Sequence, residues 1–516
     1  MKLNRFIHIS IATVAIAMLA SCSEEYLETS PAGTIEEEAV NNVMQADPSQ
    51  VQSYVAGAQM NLYCGGDYWT SHDDFGLPAV KLATDLLCED IAYYNDAHFF
   101  CYDYQLDNRL GNYRRTSSMW NQFYNLIKNC NDIIVMLKPA EGEVIEEENT
   151  TARSILGEAY GMRALAYFWL VNLWQHPYSI NPDALGVPVL TEDEYLQERV
   201  PVKDVYSLIL SDIQLSYDYL EGLGYHSGNK IGLSEYAAAA IYANVLMFTG
   251  DYENAAKYAE LAIKGGSLNS EEDMLGGFNS LDMPEVIWGY NVTNETTGYY
   301  ASLFSHIDPY HIGYAGLGYG KLVASDLYNK IEEGDIRKQW FGYKEDYNLL
   351  ENAFHVEKSK NFTDYIQNKY RDVYLTTYGQ AGPFTSAIIH TRIAEMYFVA
   401  AEAYYLNNQA DKALETLKTI MLTRNPAYSF SATGNELYEE ICIQKRIEMW
   451  MEGCRYLDAK RRGEELDRTV SVNHSPVALE QYNTKKYSAH DYRMIYRIPT
   501  KELENNPKIT AAEDNK

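Results

Sequence analysis

The chain has 516 residues, with 42 Lys and Arg against 72 Asp and Glu, a formal net charge of −30. That acid surplus argues against nucleic acid, whose phosphates Lys and Arg must neutralise, and against holding an anionic lipid surface by charge. At 46% hydrophobic residues the chain is globular, and 7 cysteines are too few for a disulfide scaffold.

In chain order, Met1 to Ser21 reads as an export signal. Lys2 and Arg5 form its basic start, and Phe6 to Ala20 is an apolar stretch too short to span a bilayer comfortably. The stretch ends Leu19-Ala20-Ser21-Cys22, which looks like a lipobox with Cys22 as the acylated residue. The mature chain would start at Cys22, and loss of Lys2 and Arg5 takes its charge from −30 to −32. Two acyl chains suffice for stable anchoring, so lipid and not charge would hold the protein to a membrane.

Helix-period apolar patterns follow over Ala79 to Ile91, Trp120 to Leu137, Ala152 to Trp174 (stopped by Pro177) and Val205 to Leu220. Residues 234–265 are the most informative. Ser234 suits an N-cap, Ala239, Ala243 and Leu246 line one face, Gly250 breaks the helix, and Tyr252, Ala255, Ala259 and Ala262 line the next. Small residues facing each other let two antiparallel helices approach closely, as in a tetratricopeptide (TPR) pair. Thr391 to Leu406 with Ala410 to Thr423 repeats the pattern, and Leu437 to Arg461 reads as one last helix. Between 266 and 389 Gly, Asn, Thr and Tyr crowd in, as in Asn291 to Tyr300 and Tyr310 to Gly320, and residues 64–76 share this character. The predicted fold class is mainly α: a TPR-like helix-pair scaffold with large irregular loop insertions. It is read as a single domain over 22–516, with helix pairs around 79–265 and 390–461 and a loop-rich insertion at about 266–389. Irregular loops on a rigid scaffold are where binding sites concentrate.

These residues resemble the SusD/RagB family of Bacteroidetes outer-membrane nutrient-binding lipoproteins, nearly end to end. The lipobox opens the resemblance, and Ser23-Glu24-Glu25 resembles the surface-export signal of such lipoproteins. His72-Asp73-Asp74-Phe75-Gly76, Asp85 and Glu89-Asp90 resemble the N-terminal segment; Arg163-Ala164, Tyr167-Phe168 and Gly186-Val187-Pro188 the next block; Arg199 to Tyr206 with Asp212 the one after. Arg392 to Tyr397 with Ala401-Glu402-Ala403 is similar to the family's TPR helix. The most specific piece is Arg446-Ile447-Glu448 through Glu452-Gly453-Cys454-Arg455-Tyr456-Leu457-Asp458, with Gln444-Lys445 and Tyr456 where Glu-Arg and Trp are more usual. Ile498-Pro499, Glu502-Leu503 and Asn506-Pro507 resemble the ending. The resemblance implies a non-enzymatic, lipid-anchored protein facing the cell exterior. Such a protein binds an oligosaccharide and delivers it to a SusC-like TonB-dependent transporter. The alternatives are peptide capture by the same scaffold, a TPR adaptor without a small ligand, and, last, a glycoside hydrolase.

Motifs for other chemistry are missing. No His-Glu-x-x-His occurs, the Cys are scattered, and no metal or cofactor is expected. Gly316-Leu317-Gly318-Tyr319-Gly320-Lys321 mimics a phosphate loop, but its spacing is wrong and Leu322 stands where Ser or Thr would bind magnesium. Glu448, Glu452, Arg455 and Asp458 fall at helical spacing, which predicts structural ion pairs within one helix and no catalytic residue.

A sugar offers C–H faces to aromatic rings and hydroxyls to polar side chains. Of the 45 tyrosines, set against 15 phenylalanines, those in polar loops are therefore the candidates for ligand contact. One group is Tyr68, Trp69, His72 and Asp73, with Tyr93, Tyr94 and Asn95. The other is Trp288, Tyr290 and Asn291, with Tyr299 and Tyr300, although Val286 to Tyr290 also reads as a buried strand. A Trp69→Ala protein is expected to stay folded and lose affinity for its glycan; unchanged calorimetric binding would remove Trp69 from the site.

Overall fold

The computed structural model describes residue 44 and residues 47–64, 71–93, 97–139, 144–190, 196–226, 228–310, 313–342, 363–373 and 383–515. The export signal, Cys22, Tyr68, Trp69, Tyr94 and Asn95 lie outside these residues.

Among the described residues the helices of nine residues or more are α1 (Gln52–Cys64), α2 (Leu77–Asp85), α3 (Arg114–Leu137), α4 (Thr150–Trp174), α5 (Val202–Leu220), α6 (Glu235–Thr249), α7 (Tyr252–Ile263), α8 (Ile393–Leu406), α9 (Ala410–Arg424), α10 (Asn435–Glu448) and α11 (Cys454–Arg462). Their starts are chemically marked. Asn149, Ser234 and Asp251 accept from Ala152 N (3.1 Å), Ala237 N (3.4 Å) and Asn254 N (3.2 Å), satisfying amides that the first turn leaves unpaired. Gly250 ends α6 in the left-handed region at φ 82°, which a glycine adopts without a Cβ penalty.

Successive helices pack as neighbours: α3 on α4, α4 on α5, α5 on α6, α6 on α7 and α8 on α9. The array runs unbroken in space because α7 packs directly on α8, although 129 residues (264–392) separate them in sequence. Ala237 to Ala240, Ala243, Ala255, Ala256, Ala259, Ala262, Ala394, Ala400, Ala401 and Ala403 are all buried, so small side chains set the close approach of α6, α7 and α8. This is the expected mainly α, helix-pair scaffold.

The intervening chain carries short strands. β1 (Ile91–Tyr93), β5 (Lys321–Val323), β7 (Ile366–Gln367) and β6 (Phe341–Gly342) form an antiparallel sheet in the order β1-β5-β7-β6. β4 (Val286–Tyr290) pairs with β8 (Ile388–Arg392), β2 (Leu185–Pro188) with β3 (Arg199–Pro201), and β9 (Glu465–Asp467) with β10 (Lys486–Ser488).

Three elements differ from expectation. The helix read over Ala79 to Ile91 stops at Asp85, because Ile91 leaves to pair with Val323. Thr391 belongs to β8, opposite Trp288. The single helix over Leu437 to Arg461 is two, α10 and α11, with Met451 (φ 64°) and Gly453 (φ 83°) left-handed between them. Gly453 is required there: a Cβ would meet Lys81 Cγ at 2.4 Å, and its N–H donates to Asp85 Oδ2 at 2.8 Å.

That break redirects the charges predicted to pair along one helix. Glu448 instead accepts from Arg424, Arg392 and Arg337, and Glu452 from Arg392 and Lys369. Glu285, just before β4, bridges Arg392 and Arg424 at 2.6 Å each. Asp335 holds Arg337 at 2.6 Å. Four cations (Arg337, Lys369, Arg392, Arg424) thus meet four carboxylates (Glu285, Asp335, Glu448, Glu452), with all four cations, Glu285 and Glu448 fully buried. Arg455 likewise leaves its helix for Glu89, Asp90 and Glu464, and Asp458 for Lys445, although Asp458 also keeps Arg461 on its own helix.

Burial alone pushes the Glu448 carboxyl up, but Arg424, Arg392 and Arg337 overcome it and hold it well below the ordinary value of 4.5. Asp458 is held down in the same way by Lys445, Arg462 and Arg461. A carboxylate whose folded pKa is depressed stabilises the fold above its unfolded value and stops doing so as pH falls toward the folded one. The contribution of these carboxylates is therefore expected to be level from neutral pH down to about 5 and to fall steeply below about 4.5. Arg424→Met, which removes a cation shared by Glu285 and Glu448 and leaves an excess buried negative charge, should cost about 3–5 kcal/mol in denaturant unfolding. A loss below about 1 kcal/mol would show that the cluster is not under strong constraint.

Candidate functional site

The sheet register builds the site. β1 and β5 are antiparallel with Tyr93 opposite Lys321, so the chain leaving β1 and the chain entering β5 emerge side by side. The first carries His98 and Phe99, the second Tyr314 and Tyr319. A short helix, Leu303–Ile307, is capped by Ser302 Oγ accepting from Ser305 N (3.2 Å). It sets Tyr299 and Tyr300 beside them. The segment before α2 adds His72, whose carbonyl accepts from His306 Nε2 at 2.6 Å.

These rings form one continuous shelf. His72 stacks on Tyr300 (5.5 Å between centroids) and lies 5.7 Å from both Phe99 and Tyr314. Phe99 meets Tyr314 edge-on at 5.4 Å, Tyr300 meets Tyr314 at 5.8 Å, and Tyr299 meets Tyr300 at 4.8 Å. His98 stands edge-on to Tyr319 at 4.1 Å. His72 and His98 are exposed, while Phe99, Tyr299, Tyr300, Tyr314 and Tyr319 are half-buried. The Tyr314 hydroxyl and His72 Nδ1 are hydrogen-bonded at 2.5 Å, fixing both rings.

The floor beneath is polar and fully engaged. His306 is buried, stacks under Tyr314 at 4.8 Å, and is kept neutral by burial and by the nearby Lys321, which push its pKa well below the ordinary value. Lys321 Nζ donates to the Tyr319 carbonyl at 3.1 Å and lies 4.7 Å over the Tyr93 ring, so it braces the shelf from behind. Asp308 accepts from Tyr310 N (2.8 Å) and Asp372 N (2.6 Å), and burial raises its carboxyl to about 7.

Of the sequence candidates within the described residues, His72, Tyr299 and Tyr300 are on the shelf. Three others are buried and committed to the scaffold. Asp73 pairs with Arg114 and Arg115, Tyr93 sits under Lys321 in β1, and Trp288 donates from Nε1 to Ile231 O at 3.1 Å in β4. Their strands explain this: β1 is buried at all three residues and β4 at its first four, so the rings of Tyr93 and Trp288 are enclosed whichever face of the strand they take. Tyr290 is half-buried and packs on Tyr63 at 3.7 Å, with Asn291 exposed beyond it. His98, Phe99, Tyr314 and Tyr319 were not among the candidates. The only sequence signal for the last two is the Gly- and Tyr-rich composition of Tyr310 to Gly320.

Aromatic faces beside imidazole and phenol groups suit a ligand with apolar faces and hydroxyl edges. A separate cavity of about 70 Å³ lies among α4, α6, α8 and α11, walled by Phe168, Trp169 and Ile241. Its charges are spent within the scaffold, Glu402 on Arg461 and Arg462 and Asp458 on Lys445. Among the described residues no group of three or more His, Cys, Asp or Glu side chains is placed to hold a metal ion, and no helix is long and apolar enough to cross a membrane.

A mainly α helix-pair scaffold presenting an aromatic loop face defines a class of binding protein, and comparison with known proteins gives the family. The SusD family model matches residues 329–514. A second model, described as starch-binding associating with outer membrane, matches residues 78–247. The chain belongs to the SusD/RagB family. A SusD-like protein of Formosa agariphila is 24% identical over 450 residues, covering 76% of this chain and 78% of its own. A SusD-like carbohydrate binding protein from Bacteroides vulgatus has the same fold, with a TM-score of 0.73 at 19% identity, covering 91% of this chain and 98% of that one. The surface glycan-binding protein A of Bacteroides thetaiotaomicron, in complex with laminarihexaose, has a TM-score of 0.65 at 17% identity, covering 90% and 99%.

Proposed function

We propose that this protein is a lipid-anchored glycan-binding protein of the outer membrane. It captures an oligosaccharide on the shelf of His72, Phe99, Tyr299, Tyr300, Tyr314 and Tyr319 and passes it to a SusC-like TonB-dependent transporter. The observation that carries the reading is the shelf itself: interlocked rings held half-exposed by a braced polar floor, a costly arrangement unless a ligand covers it. The laminarihexaose complex of a protein with this fold supports the ligand class. A binding role without catalysis agrees with the carboxylates at the shelf floor. Asp73 is paired with two arginines and Asp308 is bound to backbone amides, so neither is placed to act on a ligand. Anchoring rests on Cys22 at the end of the apolar signal, and exposure to the exterior on Ser23-Glu24-Glu25.

Calorimetry of the full chain against neutral hexasaccharides (laminarihexaose, maltohexaose, cellohexaose, xylohexaose) tests the site. Tyr300→Ala and Tyr314→Ala are each expected to weaken binding about tenfold, the worth of one good aromatic contact, with unchanged melting. Affinity equal to the wild type in both would move the site elsewhere. Separately, Cys22→Ala should leave the protein unacylated and shift it from the membrane to the soluble fraction on cell fractionation. Membrane retention without acyl label would overturn the anchor.

A further inference from the structure

Most polar groups at the shelf are spoken for. The Tyr314 hydroxyl is bound to His72, His306 to the His72 carbonyl, and Lys321 to the Tyr319 carbonyl. The hydroxyls of Tyr300 and Tyr319 and the ring of His98 have no such partner among the described residues, and of these His98 is the most exposed. It is exposed, and its ring nitrogens have no hydrogen-bond partner among the described residues, although its ring is clamped by Tyr319 (4.1 Å), Tyr314 (5.7 Å) and Phe99 (6.2 Å). Its backbone lies at φ 63°, in the left-handed region that a side chain bearing a Cβ enters at a cost. Tyr299, at φ 40°, is the other strained residue of the shelf. Strain of this kind persists where the surrounding structure holds it and clusters at ligand clamps. Here it presents a rigid imidazole edge between two aromatic platforms, with no hydrogen-bond partner for that edge among the described residues.

We propose that His98 is the residue that reads the ligand's hydroxyls. Its neutral imidazole donates from one nitrogen and accepts at the other, and because the two nitrogens point apart they match two well-separated hydroxyls, on different residues of a neutral oligosaccharide lying on Tyr319 and Tyr314. The assignment rests on the glycan reading of the shelf and deepens it. A protonated imidazole has two donors and no acceptor, so one of the two bonds is lost in acid. Among the described residues the rings packed on His98 are Phe99, Tyr314 and Tyr319. Beyond Tyr314 lie His72 and the buried His306; behind Tyr319 lies Lys321; Asp73 with Arg114 and Arg115 lies beneath His72. Among the described residues of the shelf, His72 is the other exposed imidazole, from which the test must separate His98.

The test is calorimetry of the full chain with the tightest-binding member of the same hexasaccharide panel, at about pH 8 and about pH 5, which bracket imidazole titration. Wild-type affinity is expected to fall at least about threefold in acid, a little under the net worth of one hydrogen bond. His98→Gln keeps a donor and an acceptor without titrating; it should hold affinity near the wild type at pH 8 and lose most of the pH dependence. His98→Gly relieves the backbone and His98→Phe keeps the ring. Both should lose about tenfold with unchanged melting, because the polar edge and not the fold is removed. Affinity within about twofold of the wild type in both, while Tyr300→Ala still binds about tenfold more weakly, would overturn the role of His98 and leave the glycan reading standing. So would a His98→Gln protein with the wild-type pH slope, which would assign the slope to His72. A wild type that binds no member of the panel would overturn both readings.

Discussion

The cluster of four buried cations and four carboxylates is the constraint on which the rest of this structure depends. A buried ion is tolerated only while its partner is in place, because the solvation it gives up is worth several kcal/mol. Here the partners come from far apart in the chain: Glu285 before β4, Arg337 and Lys369 from the loop-rich segment, Arg392 from β8, Arg424 from α9, and Glu448 and Glu452 from the junction of α10 and α11. No pair can form alone without stranding a third charge. The helix pairs on either side of the long insertion, and the insertion itself, are therefore fixed together.

That coupling gives irregular loops a rigid base. Lys369 also donates to the carbonyls of Glu448 and Trp450, and it follows Gln367 of β7 by two residues. The four-stranded sheet is thereby tied to the helical scaffold through the same cluster. The shelf hangs from that sheet, on the chain ends flanking β1 and β5. Its rings hold a half-exposed arrangement because Lys321, His306 and Asp308 satisfy the backbone and side-chain polar groups beneath them. A preorganised surface of this kind loses little entropy when it takes up a ligand.

The helices were legible in the sequence because their information is local. Ser234, Gly250 and Asp251, with alanines at helical spacing between and beyond them, give caps, a break and a close-packed pair without reference to distant residues. The strands and the break at Met449 to Gly453 were not legible. β1 is three residues long and exists because Val323 is opposite Ile91. The end of α10 depends on Lys81 and Asp85 of α2, more than 360 residues away, demanding a glycine at 453. Within the site, composition flagged the loops that hold His72, Tyr299 and Tyr300, but the same logic also chose Trp288 and Tyr93, whose rings lie in buried strands.

The sequence by itself determined a negatively charged chain of 516 residues with a lipoprotein-like start, a helix-pair scaffold and a surplus of tyrosine, since charge, periodicity and composition need no third dimension. Only the tertiary structure decided what that surplus does. Tyr160 and Tyr167 go into the core, and Tyr299, Tyr300, Tyr314 and Tyr319 go to one face beside His72 and His98. The reason is that a tyrosine's place depends on which side of a pairing or packing contact its backbone falls. That is set by partners hundreds of residues distant and not by its own neighbours.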